Sequence, residues 1–234
     1  CRMYRNLYLN SDTVVLLSNE YKKSYIKLSG MKETSKLTAI NNMLSFPYEK
    51  CNYSKKKQIL WCGRLLFSQK RPDRILEVWK KLQDRLPDWQ LVIVGDGPFS
   101  EQLHQLSKRL SLKRIEFAGF KNPVPYYKES SIFCMTSNHE GFPMVLTEAM
   151  QFGCVSVAFD SFESIREIIQ SGMNGFLVKP FNLKNYANTI MNVANDKNIC
   201  LYADNALNSV ERLSPENISE QWLNLFAGLL KQNE

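Results

Sequence analysis

The run Gln90-Leu91-Val92-Ile93-Val94 carries no polar side chain after its first position, and Gly95-Asp96-Gly97-Pro98 follows it directly. A strand with one wet face alternates apolar and polar residues. A continuous apolar run asks for cover on both faces, as in a parallel sheet. The glycine-rich turn leads into Phe99 to Leu110, whose spacing is helical. The same strand-turn-helix unit recurs upstream. Ile59-Leu60-Trp61-Cys62 ends in Gly63, and Pro72 to Leu86 has apolar residues at 75, 76, 78, 79, 82 and 86, with proline near the first turn. Downstream, strands at 115–118, 132–135, 155–159 and 175–178 alternate with helices at 124–128, 143–152 and 163–170. Gly153 stops the second of these helices, and two or three more fill 183–232.

This alternation predicts an α/β fold, a doubly wound parallel sheet of the Rossmann-like type. Ligands of such sheets bind beyond the carboxyl ends of the strands, near a switch in strand order. Function is therefore expected at 63–70, 95–98, 119–122 and 136–148. Ahead of this region, Thr13 to Leu17 and Leu37 to Ile40 are short apolar runs separated by a polar, helix-compatible stretch ending near Gly30. Asn41-Asn42 and Pro47 break the pattern, and 48–57 reads as a polar linker. The chain is thus divided into 1–50 and 51–234. Cys1-Arg2-Met3-Tyr4 is no natural start, so the chain reads as an excised fragment or mature piece.

Composition narrows the partners. The hydrophobic content of 44% and charged content of 23% suit a globular domain. No stretch approaches the roughly 18–20 apolar residues of a membrane span, and the start lacks a signal-peptide layout. Thirty Lys and Arg against 23 Asp and Glu give a net charge of +7. That excess favours a phosphorylated small molecule or an acidic membrane surface; the plainer alternative is a basic surface without a partner. Lys55-Lys56-Lys57 is short and outside any RNA-binding signature, so nucleic acid is not expected. The cysteines at 1, 51, 62, 134, 154 and 200 have no metal-ligand or redox spacing, and only His104 and His139 accompany them. No metal and no cofactor are expected. Cys62, Cys134 and Cys154 read as buried thiols of a cytoplasmic protein.

Two constellations can carry chemistry. In Glu140-Gly141-Phe142-Pro143-Met144-Val145-Leu146-Thr147-Glu148, proline at a first helical position leaves the next amides pointing outward at the positive end of the helix. Two carboxylates around such a nest can grip sugar hydroxyls on either side of a diphosphate. The alternatives are a helix-dipole partner for Glu140 and a solvated helix face for Glu148. In Gly63-Arg64-Leu65 with Lys70-Arg71-Pro72, glycine permits close backbone approach and the cations can meet phosphate oxygens. A basic loop facing water is the alternative. Gly95-Asp96-Gly97-Pro98 is no dinucleotide fingerprint, because Ser100 stands where the third glycine belongs. It reads as a tight turn lining the cleft.

Together with Phe117-Ala118-Gly119, Ser137-Asn138-His139-Glu140, Glu148-Ala149-Met150, Gly153 and Gly172-Met173-Asn174-Gly175, these motifs resemble the C-terminal domain of retaining GT-B glycosyltransferases. That group includes sucrose synthases and bacterial polysaccharide mannosyltransferases, and the match runs over 59–180. The resemblance implies a hexosyl transfer, with retention and without metal, from a UDP- or GDP-sugar to a glycan or lipid-linked acceptor. Arg64 and Lys70 would neutralise the diphosphate, Glu140 would contact the sugar, and Glu148 the ribose. Gly63 would belong to the donor site, the Phe120-Lys121-Asn122 turn would lie near the base, and the backbone of Phe142, Pro143, Met144, Val145 and Leu146 would hold the distal phosphate or sugar. Residues 1–50 would be the remnant of an acceptor-binding domain. The apolar face of Trp222, Leu223, Leu225, Phe226, Leu229 and Leu230 would pack on the absent part. A cytoplasmic location, peripheral to the inner membrane face, follows for a lipid-linked acceptor. Two other readings are a non-catalytic nucleotide-binding module, which has no need of both cations and both glutamates, and a sugar-nucleotide epimerase, which needs further acid-base residues.

Overall fold

The computed structural model describes residues 2–50 and 53–231. Cys1, Cys51 and Asn52 lie outside the described residues. Six parallel strands form the main sheet in the order β5-β4-β3-β6-β7-β8: β3 (Lys56–Cys62), β4 (Gln90–Val94), β5 (Ile115–Gly119), β6 (Ser130–Met135), β7 (Val155–Phe159) and β8 (Gly175–Val178). Successive strands step outward from β3 in one direction through β5. They then return to the other side of β3 with β6. The switch in strand order therefore lies between β3 and β6, where ligand sites of this architecture form.

Helices cover both faces. On one side α3 (Pro72–Leu82), α4 (Ser100–Arg109) and α8 (Leu183–Ala194) pack Trp79, Leu103 and Tyr186 against Ile59, Trp61, Ile93 and Val157. On the other, α5 (Val124–Glu129), α6 (Met144–Gln151) and α9 (Ile199–Ser209) pack Tyr127, Leu146, Met150 and Ala206 against Leu60, Val92 and Phe133. Consecutive residues of one strand thus feed opposite cores, which is why these strands read as unbroken apolar runs. The strand β3 begins at Lys56, inside the segment read as linker. Its first two residues are exposed, while buried Gln58 accepts from Gln90 Nε2 and donates to Ser130 Oγ, both at 2.7 Å. Of the thiols expected to be buried, Cys134 and Cys154 are, and Cys62 is partly so.

A separate parallel pair, β1 (Val14–Leu16) and β2 (Leu37–Ala39), packs with α1 (Arg2–Leu9) and α2 (Tyr21–Ser29) around Tyr8, Val14, Tyr25 and Leu37. The helix α2 stops at Gly30, at φ +69°, as its sequence predicts; α1 is an addition to the sequence reading. This N-terminal layer is tied to the main domain through Glu167, on the short helix α7 (Ile165–Ile168). Its carboxylate accepts from Ser18 Oγ, from the Asn19 amide at 3.0 Å and from Asn41 Nδ2 at 3.1 Å. The last helix, α10 (Pro215–Lys231), leaves Leu223, Phe226 and Leu230 exposed. Between α10 and the N-terminal layer lies a cavity of about 650 Å³ bordered by Leu17, Ser45, Met144 and Trp222. No helix among the described residues is long and apolar enough to cross a membrane.

Candidate functional site

The loop after β3 and the loop after β6 meet at the switch point, and two polar residues, Thr136 and Asn138, fasten them. Thr136, fully buried at the end of β6, accepts from Trp61 Nε1 at 3.0 Å and donates to the Arg71 carbonyl at 2.9 Å. The Asn138 amide donates to the Gln69 carbonyl at 2.7 Å, and its side-chain Nδ2 to the Ser68 carbonyl at 2.8 Å. These bonds bring Lys70 to Glu140, with Nζ 2.7 Å from Oε1, while Gln69 Nε2 donates to Oε2 at 3.0 Å. The pair is largely dry, its side chains 20% and 6% exposed. Arg71 is turned elsewhere. It lies in the left-handed region at φ 50° and forks onto Asp73, so of the two neighbouring cations only Lys70 faces the site.

A second cluster surrounds Glu148, which is only 8% exposed. Its Oε1 accepts from Ser45 Oγ at 2.5 Å and its Oε2 from Tyr127 OH at 3.0 Å. The solvated-face alternative for Glu148 is therefore wrong. A carboxylate can be held in a dry place by neutral hydroxyls, since hydrogen bonds to an ionised acceptor are strong. Burial, with the nearby Cys62 and Glu148, drives the Tyr127 phenol far above its ordinary range, so this donor keeps its proton. Burial likewise pushes the Cys62 thiol up to about 11, with Glu148 adding to the rise and Tyr127 and Lys70 opposing it.

Beside this cluster a cavity of about 400 Å³ gathers Cys62, Gly63, Arg64, Asp96, Phe120 and Lys121. Arg64 is exposed at its edge, and the ring of Phe120, 88% exposed, stands free as a stacking surface. The Gly95-Asp96-Gly97 turn is explained by the backbone it touches. A Cβ on Gly95 would fall 1.9 Å from the Gly63 carbonyl oxygen, and one on Gly97 2.8 Å from that of Leu65. The two loops also exchange backbone hydrogen bonds, Leu65 to Asp96 among them at 3.0 Å. These glycines serve loop packing and so shape the floor of the cavity.

The entrance to α6 differs from its sequence reading. Pro143 is the capping residue at ψ 83°, not the first helical one, and the helix begins at Met144. The Met144 amide closes a tight turn onto the Phe142 carbonyl at 3.0 Å, and the Leu146 amide reaches the Pro143 carbonyl at 3.0 Å. Two of the three amides expected to be free are thus occupied. Among the described residues the amides of Gly141, Phe142 and Val145 have no acceptor. The side chains of Phe142, Pro143 and Leu146 are buried, so these three can offer a ligand only backbone, while Met144 and Val145 are partly exposed. Ser45, Gln69, Tyr127, Thr136 and Tyr21 were absent from the sequence reading. Ser45, Tyr127 and Tyr21 reach the site from elsewhere in the chain, where no local spacing marks them. Gln69 and Thr136 lie inside the stretches 63–70 and 136–148 expected to carry function, but neither was singled out there.

The chain has known relatives. A family model described as glycosyl transferases group 1 matches residues 49–209. An uncharacterized glycosyltransferase of Haemophilus influenzae is 34% identical over 192 residues, covering 78% of this chain and 54% of that protein. A lipopolysaccharide 1,6-galactosyltransferase of Salmonella typhimurium is 32% identical over 128 residues, covering 52% of this chain and 35% of its own. The chain thus spans about half or less of these relatives' length. Among solved structures, Anabaena Alr3699/HepE in complex with UDP-glucose superposes with a TM-score of 0.81 at 23% identity, covering 97% of this chain and 67% of that one. The chain belongs to the group 1 glycosyl transferases and carries the Rossmann-like fold of their GT-B members.

Proposed function

We propose that the chain is the donor-binding half of a hexosyltransferase that takes a sugar from a UDP- or GDP-sugar, with retention and without a metal ion. The observation that carries this reading is the Lys70–Glu140 pair at the switch point, with exposed Arg64 on the same loop. When the anomeric carbon–oxygen bond breaks, negative charge develops on the departing diphosphate. Preorganised donors in a dry site stabilise such charge best. Lys70 can exchange part of its contact with Glu140 for a phosphate oxygen, Arg64 adds a second cation, and the free amides before α6 add neutral donors. Glu140, released from full pairing, accepts from sugar hydroxyls, and Glu148 accepts from the ribose diol. The acceptor hydroxyl forms the new bond on the same face, and its proton passes to the leaving phosphate oxygen.

Uracil is favoured over guanine by the UDP-glucose complex of the Anabaena neighbour. A glycan or lipid-linked acceptor is favoured by the lipopolysaccharide relative. In this reading residues 1–50 are the end of the acceptor half, and the exposed face of α10 packs on the remainder of it. The net positive charge suits a cytoplasmic protein resting on an acidic membrane surface.

The test is thermal unfolding of the chain with UDP-, GDP- and ADP-sugars, with and without chelator. Ligand at about 100 times its dissociation constant adds roughly 2.7 kcal/mol. One nucleotide sugar should raise the melting temperature regardless of chelator. If none does so at millimolar concentration, this is not a donor site.

A further inference from the structure

The hydroxyl of Tyr21, at the start of α2 in the N-terminal layer, lies 2.7 Å from the Glu140 carbonyl oxygen and 2.8 Å from that of Gly141. The two residues are 119 and 120 positions further along the chain, so this is a contact made by the fold. Ser164 Oγ donates to the Gly141 carbonyl at 3.1 Å and stands 3.2 Å from the Tyr21 hydroxyl. Burial raises the Tyr21 phenol above its ordinary range, opposed by the hydrogen bonds of Ser164, so it remains a donor at neutral pH.

A peptide group is planar and trans, so its N–H points opposite to its C=O. Holding the carbonyls of Glu140 and Gly141 on the Tyr21 side therefore turns the amides of Gly141 and Phe142 to the other side. Those are two of the amides left without an acceptor among the described residues. Gly141 has the freest backbone in this loop, and without a fixed partner its two peptide planes could rotate. Tyr21 and Ser164 prevent that.

We propose that Tyr21 is a positioning residue of the donor loop. From the N-terminal layer it sets the two peptide planes that follow Glu140, so that the Gly141 and Phe142 amides meet the distal phosphate of the donor. This rests on the donor-site reading above and goes beyond it by giving the N-terminal layer a part in nucleotide recognition.

The experiment compares UDP with UMP by calorimetric titration of the parent chain and of Tyr21→Phe, or GDP with GMP if the parent prefers guanine. The monophosphate lacks the phosphate these amides would meet. In the parent the diphosphate should bind more tightly. In Tyr21→Phe that preference should shrink roughly fivefold to tenfold, the worth of one ordinary hydrogen bond, while UMP affinity stays near the parent's. Ser164→Ala should do the same more weakly, and the double variant should exceed either. The ratio is read within one variant, so partial unfolding, which weakens both ligands alike, does not move it. An unchanged ratio in Tyr21→Phe overturns the proposal and leaves the donor site standing. A parent that binds neither diphosphate removes both.

Discussion

Glu140 and Glu148 stand eight residues apart around the entrance to α6, and the protein holds them by opposite means. Glu140 faces a cation, Lys70, with an amide donor from Gln69 on its other oxygen. Glu148 is held by two neutral hydroxyls, those of Ser45 and Tyr127. A carboxylate balanced by a lysine can trade its partner when an anionic ligand arrives. One fixed by two hydroxyls keeps its direction. The contrast suits the first to a charge that changes during reaction and the second to a rigid contact with neutral ligand hydroxyls.

The largest effect comes from removing the cation. Lys70→Met leaves a carboxylate of 6% exposure without its counter-charge. Breaking such a pair should cost about 3 kcal/mol, at the low end for buried pairs because Lys70 retains some contact with water. In a domain of this size that lowers the melting temperature by roughly 6–12 °C. The double variant Lys70→Met/Glu140→Gln should recover most of the loss, since the buried charge is gone with its partner. If Lys70→Met melts like the parent, the two glutamates are not held in the different ways described.

Next is the difference between the glutamates as ligand contacts. Glu148→Gln should weaken a free nucleoside diphosphate and the full sugar donor alike, by about tenfold or more, the worth of one charge-assisted hydrogen bond. Glu140→Gln should leave the free nucleotide nearly unchanged and weaken only the sugar-linked donor. Titration of both variants with both ligands separates the two roles. Equal affinities throughout would mean that neither carboxylate touches the donor.

The two glutamates were visible in the sequence, but their settings were not, and the reason is physical. Strands such as Gln90–Val94 announce themselves because burial on both faces acts on consecutive residues. The α3 helix announces itself by the spacing of Ile75, Leu76, Val78, Trp79 and Leu82. Side-chain partners obey no such local rule. Ser45 reaches Glu148 across 103 positions, and Tyr127 across 21. Arg71 looks like a twin of Lys70 until its bond to Asp73 is seen. Pro143 slips from the first helical position to the cap because the turn at Phe142 uses the Met144 amide. The helix Arg2–Leu9 escapes notice because it is short and lacks an acidic first turn. It is ordered by tertiary contacts such as the edge-on packing of Tyr4 against Tyr25.

The smallest effect can be read from a group that feels both ends of the contrast. Cys62 ends β3 and lines the cavity beside Arg64 and Phe120. Burial first, then the Glu148 charge, raise its thiol to about 11, while Tyr127 and Lys70 pull it down. A thiol raised in the folded state from its ordinary 9.0 contributes stability that is complete below pH 9 and is lost as pH climbs through 11. Between pH 8 and pH 10 the share due to Cys62 is about 1 kcal/mol. Cys134 and Cys154 are raised by burial as well, so the whole protein weakens in alkali and only a difference isolates one thiol. Denaturant melts of Cys62→Ala should therefore lose about 1 kcal/mol less than the parent over that interval. The same thiol then serves as the reporter. Glu148→Gln removes a repelling charge and should let Cys62 react with iodoacetamide at lower pH than in the parent. Lys70→Met removes an attracting one and should delay the reaction to higher pH. Peptide mapping of alkylated Cys62 against pH gives the order of the three curves. If the two variants shift the curve in the same direction, or neither shifts it, Cys62 does not lie between a negative Glu148 and a positive Lys70.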